Sequence, residues 1–149
     1  MKKIFATLAL CVMTLAASAQ VKSIDIKGDL RHDFGLGVGA TFGIVDKIDL
    51  APSFNWYFPE HGHMFTVDAD FHYNIDLGNS GFTLYPIVGV ALGNWGGGDY
   101  SSTKFGFDLG GGVKYNVVNN INIFCEGKWQ WFNDNCDDAY ISLGVNIGI

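Results

Sequence analysis

Residues 64–77 read MFTVDADFHYNIDL, and from Phe65 onward apolar and polar side chains alternate strictly. Because successive side chains of a strand point to opposite faces, this segment has one apolar face and one polar face when extended. The apolar face carries Phe65, Val67, Ala69, Phe71, Tyr73, Ile75 and Leu77. A strand with hydrocarbon on one side and a polar lumen on the other needs this pattern over roughly ten residues.

Similar alternation, less regular in residues 82–93, recurs along the chain and predicts about eight strands in all. The predicted strands span residues 21–27, 33–45, 48–58, 64–77, 82–93, 103–115, 121–132 and 139–149. Short turn signals at Gly28-Asp29, Asp46-Lys47, Gly78-Gly81 and Asn119-Asn120 separate some of them, and longer connections at 59–63, 94–102 and 133–138 separate others. The pattern therefore predicts an all-β fold, an eight-stranded antiparallel up-and-down transmembrane β-barrel.

Aromatic residues concentrate at one end of the predicted barrel. With these strand directions, the end with the longer connections carries an aromatic girdle of Trp56, Trp95, Trp129 and Trp131. Indole rings favour the interface between lipid and water, so a belt at one rim is typical of a membrane barrel. A soluble β-sandwich is the alternative, and it would place the aromatic faces against each other in a core.

The polar faces predict a filled lumen. An eight-stranded barrel is only wide enough for its own side chains, so we expect acids and bases on neighbouring strands to pair. The predicted lumen polar network consists of Asp68, Asp70, His72, Lys104, Asp108, Glu126 and Lys128. Asp68 and Asp70 have two candidate partners, Lys104 and Lys128. A water-filled channel is the alternative interpretation.

The first 19 residues have the features of a secretory signal peptide. Lys2 and Lys3 precede an apolar run at 4–15, and Ala17-Ser18-Ala19 supplies small residues for cleavage. The predicted domains are therefore a signal peptide at 1–19 and an outer-membrane barrel at 20–149. No apolar run in the predicted mature chain reaches the roughly 18 residues of a membrane-spanning helix.

The net charge and the cysteines bear on nucleic-acid binding and on a possible disulfide. The chain has 9 basic and 15 acidic residues, and loss of Lys2 and Lys3 leaves 7 against 15, a net charge of −8. Such a charge argues against nucleic-acid binding. An oxidising compartment would permit a disulfide between Cys125 and Cys136, but the predicted register does not bring them together.

Candidate catalytic chemistry is sparse. Glu60, His61 and His63 could contact a metal ion, but one loop supplies too few ligands, and no second cluster is evident. Asp70 and His72 share a face without a serine nucleophile beside them. The sequence predicts no catalytic residue, no metal site and no cofactor.

These features resemble the small outer-membrane barrels of the OmpA/OmpX type, across essentially the whole predicted mature chain. The closing segment is similar to the assembly signal of that class, with Ser142, Gly144, Ile147 and Ile149 in its places, although Ile149 stands where an aromatic residue is usual. The segments 50–58 and 104–112 are similar to those of barrels from Bacteroidetes-type Gram-negative bacteria.

The resemblance implies a monomeric protein of the bacterial outer membrane, in contact with its lipid, the barrel-assembly machinery and periplasmic chaperones. We expect a non-enzymatic structural or surface-interaction role. A small-solute channel and a lipid-modifying enzyme are the alternatives.

Overall fold

The computed structural model describes residues 19–133 and 136–149, together with six isolated positions before residue 19. The predicted signal peptide at 1–19 thus lies almost wholly outside the described residues. Among the described residues, no helix is long and apolar enough to cross a membrane.

Nine strand segments form a single antiparallel sheet. They are β1 Gln20–Leu30, β2 Phe34–Val45, β3 Ile48–Tyr57, β4 His63–Tyr73, β5 Ile75–Asp76, β6 Phe82–Gly97, β7 Tyr100–Val118, β8 Ile121–Phe132 and β9 Cys136–Gly148. Both β4 and β5 pair with β6, so they are two parts of one barrel strand and the sheet has eight. The order is an up-and-down meander, as the alternation predicts.

The first and last strands close the sheet into a barrel. β1 pairs with β9 from Ser23 opposite Gly148 to Leu30 opposite Ile141. Closure leaves no exposed sheet edge, which in hydrocarbon would carry unpaired backbone groups. The predicted eight-stranded antiparallel barrel is confirmed.

The faces of the barrel invert the arrangement of a soluble protein. Large apolar side chains such as Ile26, Val38, Val88, Leu109 and Leu143 are exposed on the outside. Charged and polar side chains such as Asp29, Asp68 and Lys128 are buried inside. The soluble β-sandwich alternative is wrong, because a sandwich would bury the apolar face between two sheets.

Three predicted connections differ from the structure. Gly28 and Asp29 lie inside β1 and pair with Leu36 and Gly35, because a ladder on both sides overrides the local turn preference. The predicted loop at 94–102 is mostly strand, since β6 and β7 pair out to Gly97 opposite Tyr100. β9 begins at Cys136, within the predicted loop at 133–138.

Pro86 lies inside β6 without breaking the barrel. The pairing of β4 with β6 ends at His72 opposite Ile87, and that of β5 begins at Ile75 opposite Leu84. Pro86 therefore sits where this ladder is already interrupted, and its missing N–H costs no hydrogen bond on that side.

We call the end with the β1–β2, β3–β4, β6–β7 and β8–β9 connections the loop end. The other end, with residues 20 and 149, is the terminal end.

Candidate functional site: the lumen and the loop-end cavity

A buried ion cluster fills the middle of the lumen. Lys128 of β8 places its Nζ 2.7 Å from Asp70 Oδ2 and 3.3 Å from Asp68 Oδ2, both on β4. Asp108 Oδ2 of β7 lies 3.9 Å from the same nitrogen. The four side chains are almost completely buried. Of the two predicted partners for the β4 acids, the structure pairs them with Lys128.

Neighbouring amides support one side of this cluster. Asn55 Nδ2 donates to Asp68 Oδ2 at 2.8 Å and to Thr66 Oγ1 at 3.0 Å. Gln130 Nε2 reaches Asp68 Oδ1 at 3.4 Å. Because buried polar and charged groups are costly unless they are paired and hydrogen-bonded, these donors help to satisfy the buried Asp68 carboxylate.

Gly89 sets the spacing between two of the acids. It lies opposite Asp70 on one side and opposite Asp108 on the other. A Cβ at this position would overlap the Asp70 carboxylate. The absence of a side chain on Gly89 therefore lets the two carboxylates share this level of the lumen.

Asp68, Asp70 and Asp108 are the one group of three potential metal ligands that lie within reach of one another among the described residues. The Lys128 ammonium contacts all three, so the group is already compensated in part by a cation of the chain. Glu60, His61 and His63 form no such group in the described part of the chain.

An aromatic and polar layer lies on the loop-end side of the cluster. The Arg31 guanidinium stacks over the rings of Tyr57 and Tyr140, at 5.3 and 4.5 Å from their centroids. Its Nε lies 2.9 Å from Asp138 Oδ2, and its Nη2 donates to Gln130. Below it, Tyr57 and Ser142 donate to Asp29 at 3.0 and 2.6 Å.

A second polar layer lies on the terminal-end side. Tyr85 donates its hydroxyl to Glu126 at 3.0 Å, and the His72 ring stacks on Tyr85 at 4.8 Å. Asp25 accepts from Thr41 at 2.8 Å and from Asn146 at 2.5 Å. The predicted lumen residues Glu126 and His72 therefore both contact Tyr85, which links them.

These layers divide the lumen into two separate cavities. The loop-end cavity has a volume of about 540 Å³ and the terminal-end cavity about 440 Å³. Beside Asp70 and His72, between them, a pocket of only about 20 Å³ remains. That volume is close to the space of a single water molecule, so this pocket leaves little room for water between the two cavities.

The tryptophans predicted to form a girdle have different surroundings. Trp56, Trp129 and Trp131 are exposed on the outer face of the barrel near the loop end. Trp95 instead points into the lumen, where its ring meets Phe132 edge-on at 4.9 Å and Lys104 Nζ lies 5.9 Å away. The expectation that Trp95 joins the lipid-facing girdle is wrong, because β6 continues past residue 93 with the same alternation.

Lys104 lies in the loop-end cavity rather than at the ion cluster. The cavity also brings together His61 and His63 with Arg31, His32 and Asp33 of the β1–β2 connection. The sequence does not reveal this meeting, because these residues come from separate connections.

The residues of the predicted assembly signal lie along β9. Ser142 is buried and faces Asp29, whereas Ile147 is exposed on the outer face. Gly144 pairs with Phe124 and with Lys27, and Ile149 follows the end of the strand.

The predicted lumen polar network leaves out several residues whose side chains lie in the lumen, namely Lys27, Asp29, Arg31, Tyr57 and Tyr140. The signal for the first three was present, because Ser23, Asp25, Lys27, Asp29 and Arg31 alternate with Ile24, Ile26, Gly28 and Leu30. Cys125 is a free cysteine, exposed on the outer face, and pairs with Leu143. The backbone of Cys136 pairs with Phe132, so the register does not place the two cysteines opposite each other.

The chain is similar in structure to several solved barrels. It matches the N-terminal β-barrel domain of Pseudomonas aeruginosa OprF with a TM-score of 0.76 and 20% identity, over 88% of this chain and 99% of that one. It matches Neisserial surface protein A with a TM-score of 0.67 and 17% identity, over 87% and 95%. The fold is that of the small outer-membrane β-barrels.

A third match is Ail, the attachment invasion locus protein of Yersinia pestis, with a TM-score of 0.57 and 13% identity, over 88% of this chain and 97% of that one. No protein-family model matches the chain, and no curated protein sequence does. At these identities the likeness extends to the fold, which is of the OmpA/OmpX type.

Proposed function

We propose that this protein is a non-enzymatic barrel of the bacterial outer membrane, with a closed lumen and a structural or surface-interaction role. The observation that carries the proposal is the buried cluster of Lys128 with Asp68, Asp70 and Asp108 across the middle of the lumen. An ion crossing the barrel would have to separate these pairs, and the pocket beside Asp70 has room for only about one water molecule.

Conductance across a planar bilayer tests the closed lumen. The full protein, inserted from detergent, is expected to give no single-channel steps, while a large porin inserted in the same way gives clear steps. Reproducible steps from the protein that vanish with its heat-denatured form would contradict the proposal and favour the small-solute channel.

The outer face supports the proposed location. Exposed apolar side chains cover the wall, and Trp56, Trp129 and Trp131 lie near its loop-end rim, as expected at a lipid–water interface. Fractionation of cells is expected to recover the protein with the outer membrane. Its first residue is expected to be Gln20 after removal of the signal peptide; a retained Met1 would contradict that cleavage.

Assembly is proposed to depend on the last strand. Ser142, Gly144, Ile147 and Ile149 occupy the places of the assembly signal, and Ile149 stands where the class usually has an aromatic residue. We expect Ile149→Phe to assemble at least as efficiently as the native chain, measured as the heat-modifiable fraction in membranes. Lower efficiency than the native protein would argue against this signal.

The absence of an enzymatic role is supported by the surroundings of the histidines. In the part of the chain that the structure describes, the His72 ring stacks on Tyr85 and makes no hydrogen bond to a serine, and His61 and His63 form no metal-ligand group. Lipid hydrolysis or acyl transfer that is lost on His63→Ala would favour the enzyme alternative.

A further inference from the structure

The loop-end cavity has the size of a small-molecule site. Its volume of about 540 Å³ falls within the range of roughly 300–1,000 Å³ that is usual for ligand pockets. It opens between the connections of the loop end, and the Arg31 layer forms its floor. A molecule could therefore enter it from one side of the membrane without passing through the barrel.

One wall of this cavity is aromatic and built into the strands. Trp95 and Phe132 meet edge-on, and their rings occupy space left free by Gly93 and Gly106. A Cβ on Gly106 would lie 2.8 Å from Phe132 Cδ1, and one on Gly93 would overlap the Trp95 ring. The glycines at these two strand positions thus leave room for the Trp95 indole inside the loop-end cavity, where the side chain stays partly exposed.

The opposite wall is polar. Trp95 lies near the end of β6, beside the β6–β7 connection, and in the circular strand order the β1–β2 connection lies across the barrel from it. The β1–β2 connection contributes Arg31, His32 and Asp33 to the cavity, and β9 adds Asp137 and Asp138. The Arg31 side chain is held between two tyrosine rings and by Asp138, so its position is fixed before any ligand arrives.

The charges of the cavity are nearly balanced. Among the described lining residues, Arg31 and Lys104 supply two positive charges and Asp33, Asp137 and Asp138 supply three negative ones, so the formal sum is −1 when histidines are left out of the count. A polyanion or a polycation would meet like charges on this surface. A neutral molecule that both donates and accepts hydrogen bonds meets a partner for each kind of group.

We infer that the loop-end cavity binds a neutral saccharide. A sugar ring has an apolar C–H face that can stack on the Trp95 indole. Its hydroxyls both donate and accept hydrogen bonds, and they can therefore pair with the carboxylates, the His32 imidazole and the Arg31 guanidinium of the opposite wall. The inference rests on the proposed surface-interaction role and names its ligand class.

Indole NMR signals in LDAO micelles test this inference, because alkyl glucoside and maltoside detergents would themselves offer sugar rings. The full protein, labelled with ¹⁵N-tryptophan, is titrated with N,N′-diacetylchitobiose, lactose and maltose, and separately with the anionic sucrose octasulfate. At least one neutral sugar is expected to shift the Trp95 indole signal in a saturable way and to leave the Trp129 signal unchanged.

Two variants sharpen the test. Trp95→Leu is expected to weaken sugar binding by about tenfold, because it removes the aromatic face on which the sugar ring stacks. Trp95→Phe keeps an aromatic face and is expected to retain most of the affinity. Trp129→Leu, on the lipid face, is the matched control and should bind as the native protein does. Affinity of the variants is measured by calorimetry, with their folding checked by heat modifiability.

Three results would overturn the inference: no saturable shift with any neutral sugar, tighter binding of sucrose octasulfate than of every neutral sugar, or equal binding by folded Trp95→Leu. None of them bears on whether the lumen conducts ions. If no sugar binds and the bilayer recordings show no single-channel steps, the saccharide inference is refuted while the proposal of a closed lumen still stands.

Discussion

Replacing Lys128 by methionine removes the cation at the centre of the lumen while keeping a long side chain. Three buried carboxylates then face one another without the ammonium that lies 2.7 to 3.9 Å from them. At an effective dielectric constant of about 20, the closest pair alone attracts by about 6 kcal/mol. Desolvation of the ammonium offsets part of this, so the expected loss is the roughly 3–5 kcal/mol measured for broken buried pairs.

The measurement is the free energy of unfolding in urea, with the protein in lipid vesicles and folding followed by gel mobility and tryptophan fluorescence. Lys22→Met is the matched control. Lys22 pairs with Asp49 at 2.6 Å, but its side chain is about half exposed, and such pairs contribute about 0–1 kcal/mol. If Lys128→Met costs no more than Lys22→Met, the buried cluster does not stabilise the barrel as argued.

A second variant separates lost attraction from lost packing. Adding Asp70→Asn to Lys128→Met removes one of the unpaired charges, so the double variant is expected to be more stable than Lys128→Met alone. If the double variant were equally unstable, the cost would come from the shape of the side chain and not from its charge.

Three further changes test other parts of the barrel. Gly89→Ala is expected to cost about 1–3 kcal/mol because its Cβ overlaps Asp70, whereas Gly127→Ala, with open space around it, should be nearly neutral in the same urea assay; equal effects would refute this packing. Tyr85→Phe should cost roughly 1.5–3 kcal/mol through its bond to Glu126, and Tyr115→Phe, without such a bond, should not; equal losses would argue against that bond. Leu109→Arg on the outer face should cost about 2–4 kcal/mol if it lies near the middle of the bilayer, and Tyr100→Arg at the loop end much less; a tolerated Arg at residue 109 would place that face in water.

The sequence predicts the wall of the barrel better than its ends. Alternation specifies which side chains face lipid, because period two is a property of any strand and needs no knowledge of the partner. Where each strand begins and ends depends instead on backbone pairing with its neighbouring strands. Gly28-Asp29 has a turn composition, yet neighbours on both sides hold it in β1.

The site is less predictable for the same reason. Whether Lys104 or Lys128 meets Asp68 depends on the stagger between β4, β7 and β8, which spacing along one chain does not give. The inward Trp95 lies in the sequence NWGGG, whose glycines favour a loop, and only the pairing of Gly97 with Tyr100 extends the strand through it.

The junction between β1 and β9 makes folding of the barrel depend on both extremities of the polypeptide. Ser142 bonds Asp29 across this seam, 113 residues apart, and Asn146 bonds Ser23, 123 residues apart. Before the last strand is in place, the sheet has two unpaired edge strands, whose free backbone groups can pair with another chain. A chain that ends before residue 136 is therefore expected to form an open sheet that aggregates, and not a closed barrel with fewer strands.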